Sequence, residues 1–252
     1  MKEEIHTYPR MMASSQLEEP QLAKMLEAER GNCPLFSEQT CGGHDQFLFW
    51  PLVKELCQGS TRFRPAQHDR ATKCQLLDTL SKPYLRLGPF KLEHLNTESN
   101  YVAQVHDIIS DAEMNWMMEK AQSNLKATPY LVNNIQQESS NLRSSKVHYE
   151  SERRLGLIRR VSERLELATG FKVFSEEGGY TSENYQVMNY GLGGRISLHS
   201  DANAEDAKVG GGRLTTAMLY LTTVTAGGRT VFPRLGLSME PKAGNLVFWH
   251  TR

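Results

Sequence analysis

The sequence predicts an α+β fold, a double-stranded β-helix (jelly roll) with flanking helices. After Asn184 the chain consists of short runs of β-branched and apolar residues, separated by turns that are rich in glycine and proline. Short strands between such turns are typical of double-sheet jelly rolls. Before that point, two longer segments carry apolar residues at helical spacing, and we expect these helices to pack on the outside of the sheets.

The first predicted helix begins after Ser110 and continues to about Gln122. Ser110 and Glu113 have the spacing of a capping box, in which each side chain bonds to the backbone of the other residue. A second helix is predicted over 151–169 from apolar residues at helical spacing. Gly170 would end it. Its inward stripe consists of Leu155, Ile158, Val161, Leu165 and Ala168. Its arginines, Arg153, Arg154, Arg159, Arg160 and Arg164, are expected on a solvated, salt-bridged face.

The strands of the jelly roll are predicted mainly from the second half of the chain. The run NYQVMNYGLGGRISLHSD (184–201) begins as a strand, in which alternate side chains point to opposite faces. Glycines at 191, 193 and 194 then interrupt the regular backbone. Further strands are predicted over Leu214–Leu221, Thr230–Phe232 and Asn245–His250, with turns at 227–228 and 241–244.

His199 and Asp201 end the first of these runs and form a candidate metal site. Because they are two residues apart on an extended backbone, the imidazole and the carboxylate face the same way. They would supply two of the three protein ligands of a 2-His-1-carboxylate iron site. With 8 His and 29 acidic residues in 252, chance alone gives roughly one His-x-acid match. A second match occurs at 148–150, so on the tripeptide alone a surface loop histidine is the alternative.

Composition is that of an ordinary globular protein, with 39% hydrophobic and 23% charged residues. The 29 basic and 29 acidic residues give a net charge of zero, so we expect no nucleic-acid partner. No apolar run approaches the roughly 20 residues that span a bilayer, and we expect no membrane partner. The segment MKEEIHTYPRMMASS lacks the apolar core of a secretory signal, which by itself favours the cytosol.

The four cysteines leave the compartment open. Cys33, Cys41, Cys57 and Cys74 contain no Cys-x-x-Cys pair and no zinc-finger spacing. Two disulfides would require an oxidising compartment, whereas buried free thiols would not. The counts alone favour neither alternative.

The ordered motifs NYGLGG, HSD, AGGRTVFP and PKAGNLVFW resemble the catalytic domain of the collagen prolyl 4-hydroxylase alpha subunits. These subunits are iron- and 2-oxoglutarate-dependent dioxygenases. The resemblance covers at least Val105 to Arg252 and extends upstream through VHDIISDAE and KVHYES. It divides the chain into a leader or linker with short helices (1–56), an extended connecting segment (57–101) and a partial dioxygenase jelly-roll domain (102–252).

The resemblance implies a procollagen-proline 4-dioxygenase. Such an enzyme hydroxylates peptidyl proline with Fe(II), 2-oxoglutarate as cosubstrate and O2, and ascorbate maintains its iron. The implied partners are a proline-rich, collagen-like peptide and a protein disulfide isomerase subunit, in the lumen of the endoplasmic reticulum. The alternative is a non-catalytic jelly-roll protein that binds a proline-rich peptide or a partner subunit.

The resemblance also assigns roles to single residues. His199 and Asp201 match catalytic iron ligands, and Tyr190 and Thr230 match residues at the 2-oxoglutarate pocket. Arg213 matches an arginine near the peptide substrate. The alternatives are a core tyrosine at 190, a threonine chosen for β-propensity at 230 and a plain salt bridge at 213.

The same resemblance implies a disulfide, and this sequence departs from the family pattern at three positions. A Cys57–Cys74 disulfide is implied by a cysteine pair that lies just before the catalytic domain of those subunits. Ile196 replaces an aromatic residue, usually tyrosine, that the family uses against the substrate proline. Leu198 replaces a proline, and Arg229 replaces a small or acidic residue.

The distal histidine of the family, and the lysine that pairs with 2-oxoglutarate, come after the strand that ends at His250. Neither has a counterpart in this chain, and His250 itself is not expected to be the third ligand. We therefore expect the jelly roll to be C-terminally truncated and the chain to be incomplete at both ends. Weak iron binding and low or absent turnover would follow.

Overall fold

The computed structural model describes residues 52–59, 73–77, 87–97, 100–128, 130–132, 135–137, 144–150, 156–174, 181–196, 198–202 and 213–251. The helices are α1 (52–57), α2 (Asp111–Gln122) and α3 (Gly156–Thr169). The strands are β1 (Lys73–Leu77), β2 (Phe90–Asn96), β3 (Val102–His106), β4 (Lys126–Ala127), β5 (Tyr130–Val132), β6 (Ile135–Gln137), β7 (Lys146–Glu150), β8 (Tyr185–Asn189), β9 (Thr215–Leu219), β10 (Thr230–Phe232), β11 (Leu237–Met239) and β12 (Leu246–His250). In the described ranges no helix combines the length and the apolar character that a bilayer crossing requires.

The strands form antiparallel sheets. The largest has five strands in the order β1-β2-β3-β12-β9, and a second has the order β4-β7-β8. Strands β10 and β11 form a hairpin, as do β5 and β6. Helices packed on antiparallel sheets confirm the predicted α+β class and its jelly-roll architecture.

Strand β12 is buried on both faces of the five-stranded sheet, which explains its unbroken apolar sequence. Leu246 and Phe248 face the helices and join the main core, which includes residues of α2 and α3. Val247 and Trp249 face the other way, towards a cluster that includes Met239 of the β10-β11 hairpin. The site described below lies on this second face.

Helix α3 confirms most of its predicted stripe. The buried stripe residues are Ile158, Val161, Leu165 and Ala168. The predicted first turn, residues 151–155, lies outside the described residues. Ser162 is also buried, and its hydroxyl lies 2.8 Å from the Tyr185 hydroxyl, which ties β8 to this helix.

Helix α2 begins at the predicted cap, but its buried face includes a carboxylate. Glu113 reaches back to the backbone N–H of Ser110 at 3.0 Å, and the Ser110 hydroxyl donates to the same oxygen at 2.8 Å. Arg164 of α3 donates to this oxygen as well, at 2.5 Å. Arg164 is therefore not on a solvated face, whereas Arg159 is exposed and pairs with Glu163, as predicted for the outer face.

Acid is expected to destabilise the fold partly through Glu113. Burial raises the pKa of this carboxyl, but the hydrogen bonds from Ser110 and Arg164 outweigh burial and hold the pKa below its ordinary value. The stabilisation is therefore complete above the unfolded pKa of about 4.3 and is lost as pH falls through the lower folded pKa. Thermal melts across this range should show a steeper loss for the native protein than for Glu113→Gln. Parallel pH profiles would contradict this assignment.

Gly244 is required by the turn before β12. Its φ is +87°, and a Cβ atom there would lie 3.2 Å from the carbonyl oxygen of Ile109. The substitution Gly244→Ala is expected to cost about 1–3 kcal/mol of unfolding free energy, because the backbone is left-handed and the space is occupied. Gly88→Ala is the matched control, since nothing lies within 4 Å of its Cβ position. Equal midpoints in denaturant titrations of the two variants would refute the prediction.

The segment 57–101, which was predicted as an extended connection, contributes two strands to the main sheet. Strands β1 and β2 come from the predicted connecting segment 57–101, and they pair into the main sheet beside β3. The domain boundaries stay predictions, and most of segment 1–56 lies outside the described residues. Cys57 and Cys74 are free cysteines here, Cys57 half-buried at the last position of α1 and Cys74 exposed on β1. The implied disulfide is thus not formed in this structure and stays a prediction.

Candidate metal centre

A glycine turn directs the chain from β8 to the candidate ligands. Gly194 packs so closely that a Cβ atom would lie 2.8 Å from the carbonyl oxygen of Gly191 and 2.9 Å from that of Ser144. Ser144 also donates its N–H to the carbonyl of Arg195 at 2.9 Å, and Arg195 donates its N–H to the Ser144 hydroxyl at 3.0 Å. These contacts fix the start of the segment that carries His199.

The structure brings the two predicted ligands together. His199 Nε2 lies 3.3 Å from Asp201 Oδ1. The His199 side chain is 44% exposed and the Asp201 side chain 19% exposed. The pair is therefore accessible from solvent at the imidazole and enclosed at the carboxylate.

Trp249 of β12 fixes the carboxylate of Asp201. Its indole N–H donates to Asp201 Oδ2 at 3.1 Å, which leaves Oδ1 directed at His199. Burial raises the pKa of Asp201, but hydrogen bonds from His199 and Thr216 and the positive charge of Arg213 outweigh burial and lower that pKa. Asp201 is thus held as a carboxylate, the form that binds a metal.

The pair has the donor chemistry and the spacing for one metal ion. Two ligand atoms about 2.1 Å from an ion and at right angles lie about 3 Å apart, close to the observed separation. An imidazole with a carboxylate suits ferrous iron. Across the described residues, no group of three or more His, Cys, Asp or Glu side chains could hold a metal. His199 and Asp201 therefore fit two positions on an iron ion, and their role as ligands stays a prediction.

The second His-x-acid match, on β7, has a different environment. Glu150 pairs with the Lys120 ammonium at 2.8 Å, and His148 Nε2 lies 4.0 Å from the same carboxylate oxygen. A lysine that already neutralises the carboxylate disfavours a cation there. The environment of this pair therefore indicates a structural ion pair.

His250 lies away from the candidate centre, in agreement with the sequence expectation. Successive residues of β12 face opposite sides, so Trp249 contacts Asp201 while His250 points away. The His250 ring instead packs on Tyr101, with centroids 5.1 Å apart, and on Phe171 at 5.6 Å.

The hydroxyls of Tyr190 and Thr230 both contact methionine sulfur. The Tyr190 hydroxyl lies 3.8 Å from Met188 Sδ, and Thr230 Oγ1 lies 3.9 Å from Met218 Sδ. A thioether is a weak acceptor, so both hydroxyls can redirect their protons to a stronger acceptor such as a carboxylate. This geometry suits the implied cosubstrate role, which stays a prediction for both residues.

Tyr220 is a residue that the sequence reasoning missed. Its hydroxyl donates to Thr230 Oγ1 at 2.8 Å, and burial raises the pKa of this phenol, so it stays a neutral donor. Because Thr230 Oγ1 accepts this bond, its own proton is available for donation, and here it is directed at the weak acceptor Met218 Sδ. A tyrosine inside a predicted buried strand was the available signal, since buried tyrosine hydroxyls usually find a partner.

Arg213 makes the salt bridge that was the alternative to substrate binding. Its Nη2 lies 3.1 Å from a carboxylate oxygen of Glu183, and Nε approaches the other oxygen. Its Nη1 also donates to the backbone carbonyl of Asp201 at 3.4 Å. Arg213 thus supports the loop that carries Asp201, and its contact with a peptide stays a prediction.

Removing the indole N–H is expected to weaken iron binding. Trp249→Phe keeps an aromatic ring against Phe232, whose centroid lies 5.2 Å away, but leaves Asp201 Oδ2 without this donor. Loss of such an outer partner costs about 10–100-fold in metal affinity. Anaerobic titration with ferrous iron measures the change. Trp116→Phe, which changes a tryptophan beside Lys120, is the control and should keep native affinity.

Comparisons with known proteins agree with the geometry. Residues 185–252 match the family model "2OG-Fe(II) oxygenase superfamily". The chain is 32% identical to prolyl 4-hydroxylase subunit alpha-1 of Gallus gallus over 202 residues. This aligned region covers 77% of this chain and 38% of that subunit. The human alpha-1 subunit is 32% identical over 77% of this chain, and alpha-2 of Caenorhabditis elegans 30% over 82%. The chain spans 36–38% of the length of these relatives.

Proposed function

Because the chain belongs to the 2OG-Fe(II) oxygenase superfamily, we propose that it takes part in the 4-hydroxylation of peptidyl proline. The observation that carries this proposal is the convergence of His199 Nε2 and Asp201 Oδ1 at 3.3 Å. The similarity to prolyl 4-hydroxylase alpha subunits supports a prolyl substrate, and the proposed substrate is a proline-rich, collagen-like peptide. Ascorbate is the proposed reductant.

His199 and Asp201 would hold Fe(II), with Trp249 restraining the carboxylate. Iron held by these residues would supply oxygen activation: O2 would be the oxidant, with one oxygen atom going to succinate as 2-oxoglutarate loses CO2 and the other to the proline hydroxyl. Tyr190 and Thr230 would donate hydrogen bonds to the cosubstrate carboxylates. Such charge-assisted bonds are stronger than the thioether contacts that they replace.

The proposed setting is the one that the resemblance to collagen prolyl 4-hydroxylase alpha subunits implies. We place the chain in the lumen of the endoplasmic reticulum with a protein disulfide isomerase subunit as partner. An oxidising lumen would permit the Cys57–Cys74 disulfide. Mass analysis of unreduced peptides from the secretory pathway tests this placement, and free thiols at both positions would count against it.

The decisive experiment measures succinate release by the full chain with ferrous iron, 2-oxoglutarate and a proline-rich peptide. Release that depends on both iron and peptide, together with a mass gain of one oxygen on the peptide, supports the proposal. Iron-independent peptide binding without succinate would instead favour a non-catalytic peptide- or subunit-binding protein. That alternative is favoured by one observation, that no third metal-ligating side chain joins the pair in the described part of the chain.

A further inference from the structure

Helix α1 packs against two segments that carry predicted site residues. Leu52 and Leu56 are 1% and 2% exposed, and their cluster includes Leu198 and Val231. Leu198 directly precedes His199 in the chain, and Val231 directly follows Thr230. A single apolar cluster therefore contacts both the metal-ligand segment and the strand of the cosubstrate hydroxyl.

Side chains of the β10-β11 hairpin alternate between two sides: some pack on α1 and others on the interior of the protein. Thr230 pairs with Met239, and Val231 pairs with Ser238. Met239 joins the interior cluster with Tyr220, whereas Val231 packs on α1. Because Val231 directly follows Thr230, a shift of α1 would also displace the backbone that carries Thr230.

Arg229 and Ser238 attach the end of α1 to this hairpin. The Ser238 hydroxyl donates to the carbonyl of Leu56 at 2.6 Å, and Arg229 Nη1 lies 3.4 Å from the same hydroxyl. The Arg229 guanidinium also covers Gly59, where a Cβ atom would lie 3.0 Å from Nη2. A cation at a helix C-terminus is favourable because the last carbonyls carry partial negative charge. A carboxylate oxygen of Glu240 lies 3.7 Å from Arg229 Nη2, so the guanidinium also has an anionic neighbour.

We propose that Arg229 is a positioning residue of the candidate metal centre, acting through α1. By holding α1 on the hairpin, it fixes Leu198 and Val231 and thereby the neighbouring His199 and Thr230. The part of this inference that concerns iron rests on the proposed function. The part that concerns the two backbone segments does not, because it can be measured without metal.

Hydrogen exchange on the metal-free chain tests the mechanical part. In Arg229→Ala we expect amide exchange to rise about tenfold both in 56–59 and in 198–202, because exchange follows local opening and loss of the cation at the end of α1 favours opening. Arg159→Ala, which removes an exposed arginine and its ion pair with Glu163, is the control and should leave both segments unchanged. Faster exchange in 56–59 with native exchange in 198–202 would overturn the proposal.

Ferrous titration tests the iron part. Arg229→Ala should weaken iron binding about tenfold with native-like folding, and Arg229→Lys, which keeps the cation, should recover part of the affinity. Native iron affinity in Arg229→Ala would overturn the proposal. If the unmodified chain binds no iron, the proposed function fails, and the exchange experiment still decides whether α1 positions the two segments.

Discussion

Asp201→Ala is expected to lower the affinity for ferrous iron by more than about 100-fold and to abolish turnover. Loss of an outer partner of a ligand alone costs about 10–100-fold, and this change would remove one of the two predicted ligands. The affinity is measured by anaerobic titration with ferrous iron, and turnover by succinate release. No change in iron affinity would disprove the assignment of the metal site.

Two further variants make the Asp201 experiment specific. Asp201→Asn keeps an oxygen that can accept from Trp249 but removes the charge, so it should fold normally and still bind iron weakly. His148→Ala removes the histidine of the second His-x-acid match, which lies beside the Lys120–Glu150 pair. It should retain native iron affinity. Equal losses in His148→Ala and Asp201→Ala would mean that the effect is a general loss of structure.

The juxtaposition of His199 and Asp201 could be predicted from the sequence because it is local. Two residues apart on extended backbone, the side chains share a face whatever the rest of the fold does. The partners of the site could not be predicted in this way. Trp249 reaches Asp201 from β12, where it pairs with Thr216 of β9, and Tyr220 reaches Thr230 of the β10-β11 hairpin. Such register is a property of the assembled sheet.

Hydrophobic periodicity predicts the buried apolar residues of a helix, but it does not predict a buried charged residue. It found the stripe of α3 because apolar side chains at helical spacing need a common buried face. It placed Arg164 on the solvated face for the same reason, since a charged residue does not contribute to the stripe. Glu113 and Arg164 are 51 positions apart in the chain, so nothing local indicated that each would neutralise the other.

Arg164→Ala is therefore expected to be the most destabilising single change at a charged residue considered for this fold. It leaves the Glu113 carboxylate, whose side chain is 5% exposed, without its cation. Removing one partner of a buried pair costs about 3–5 kcal/mol. Because the Arg164 side chain is itself 22% exposed, we expect the lower end of this range, about 3 kcal/mol, as measured by chemical denaturation.

The control for Arg164→Ala lies on the same helix. Arg159→Ala breaks an exposed pair with Glu163 at i,i+4, and such pairs contribute about 0.3–0.5 kcal/mol. In the double variant Arg164→Ala with Glu113→Gln, the uncompensated charge is gone, so part of the lost stability should return. If the double variant is as unstable as the sum of the two single changes, the pair is not coupled. The arginine would then stabilise the helices by packing alone.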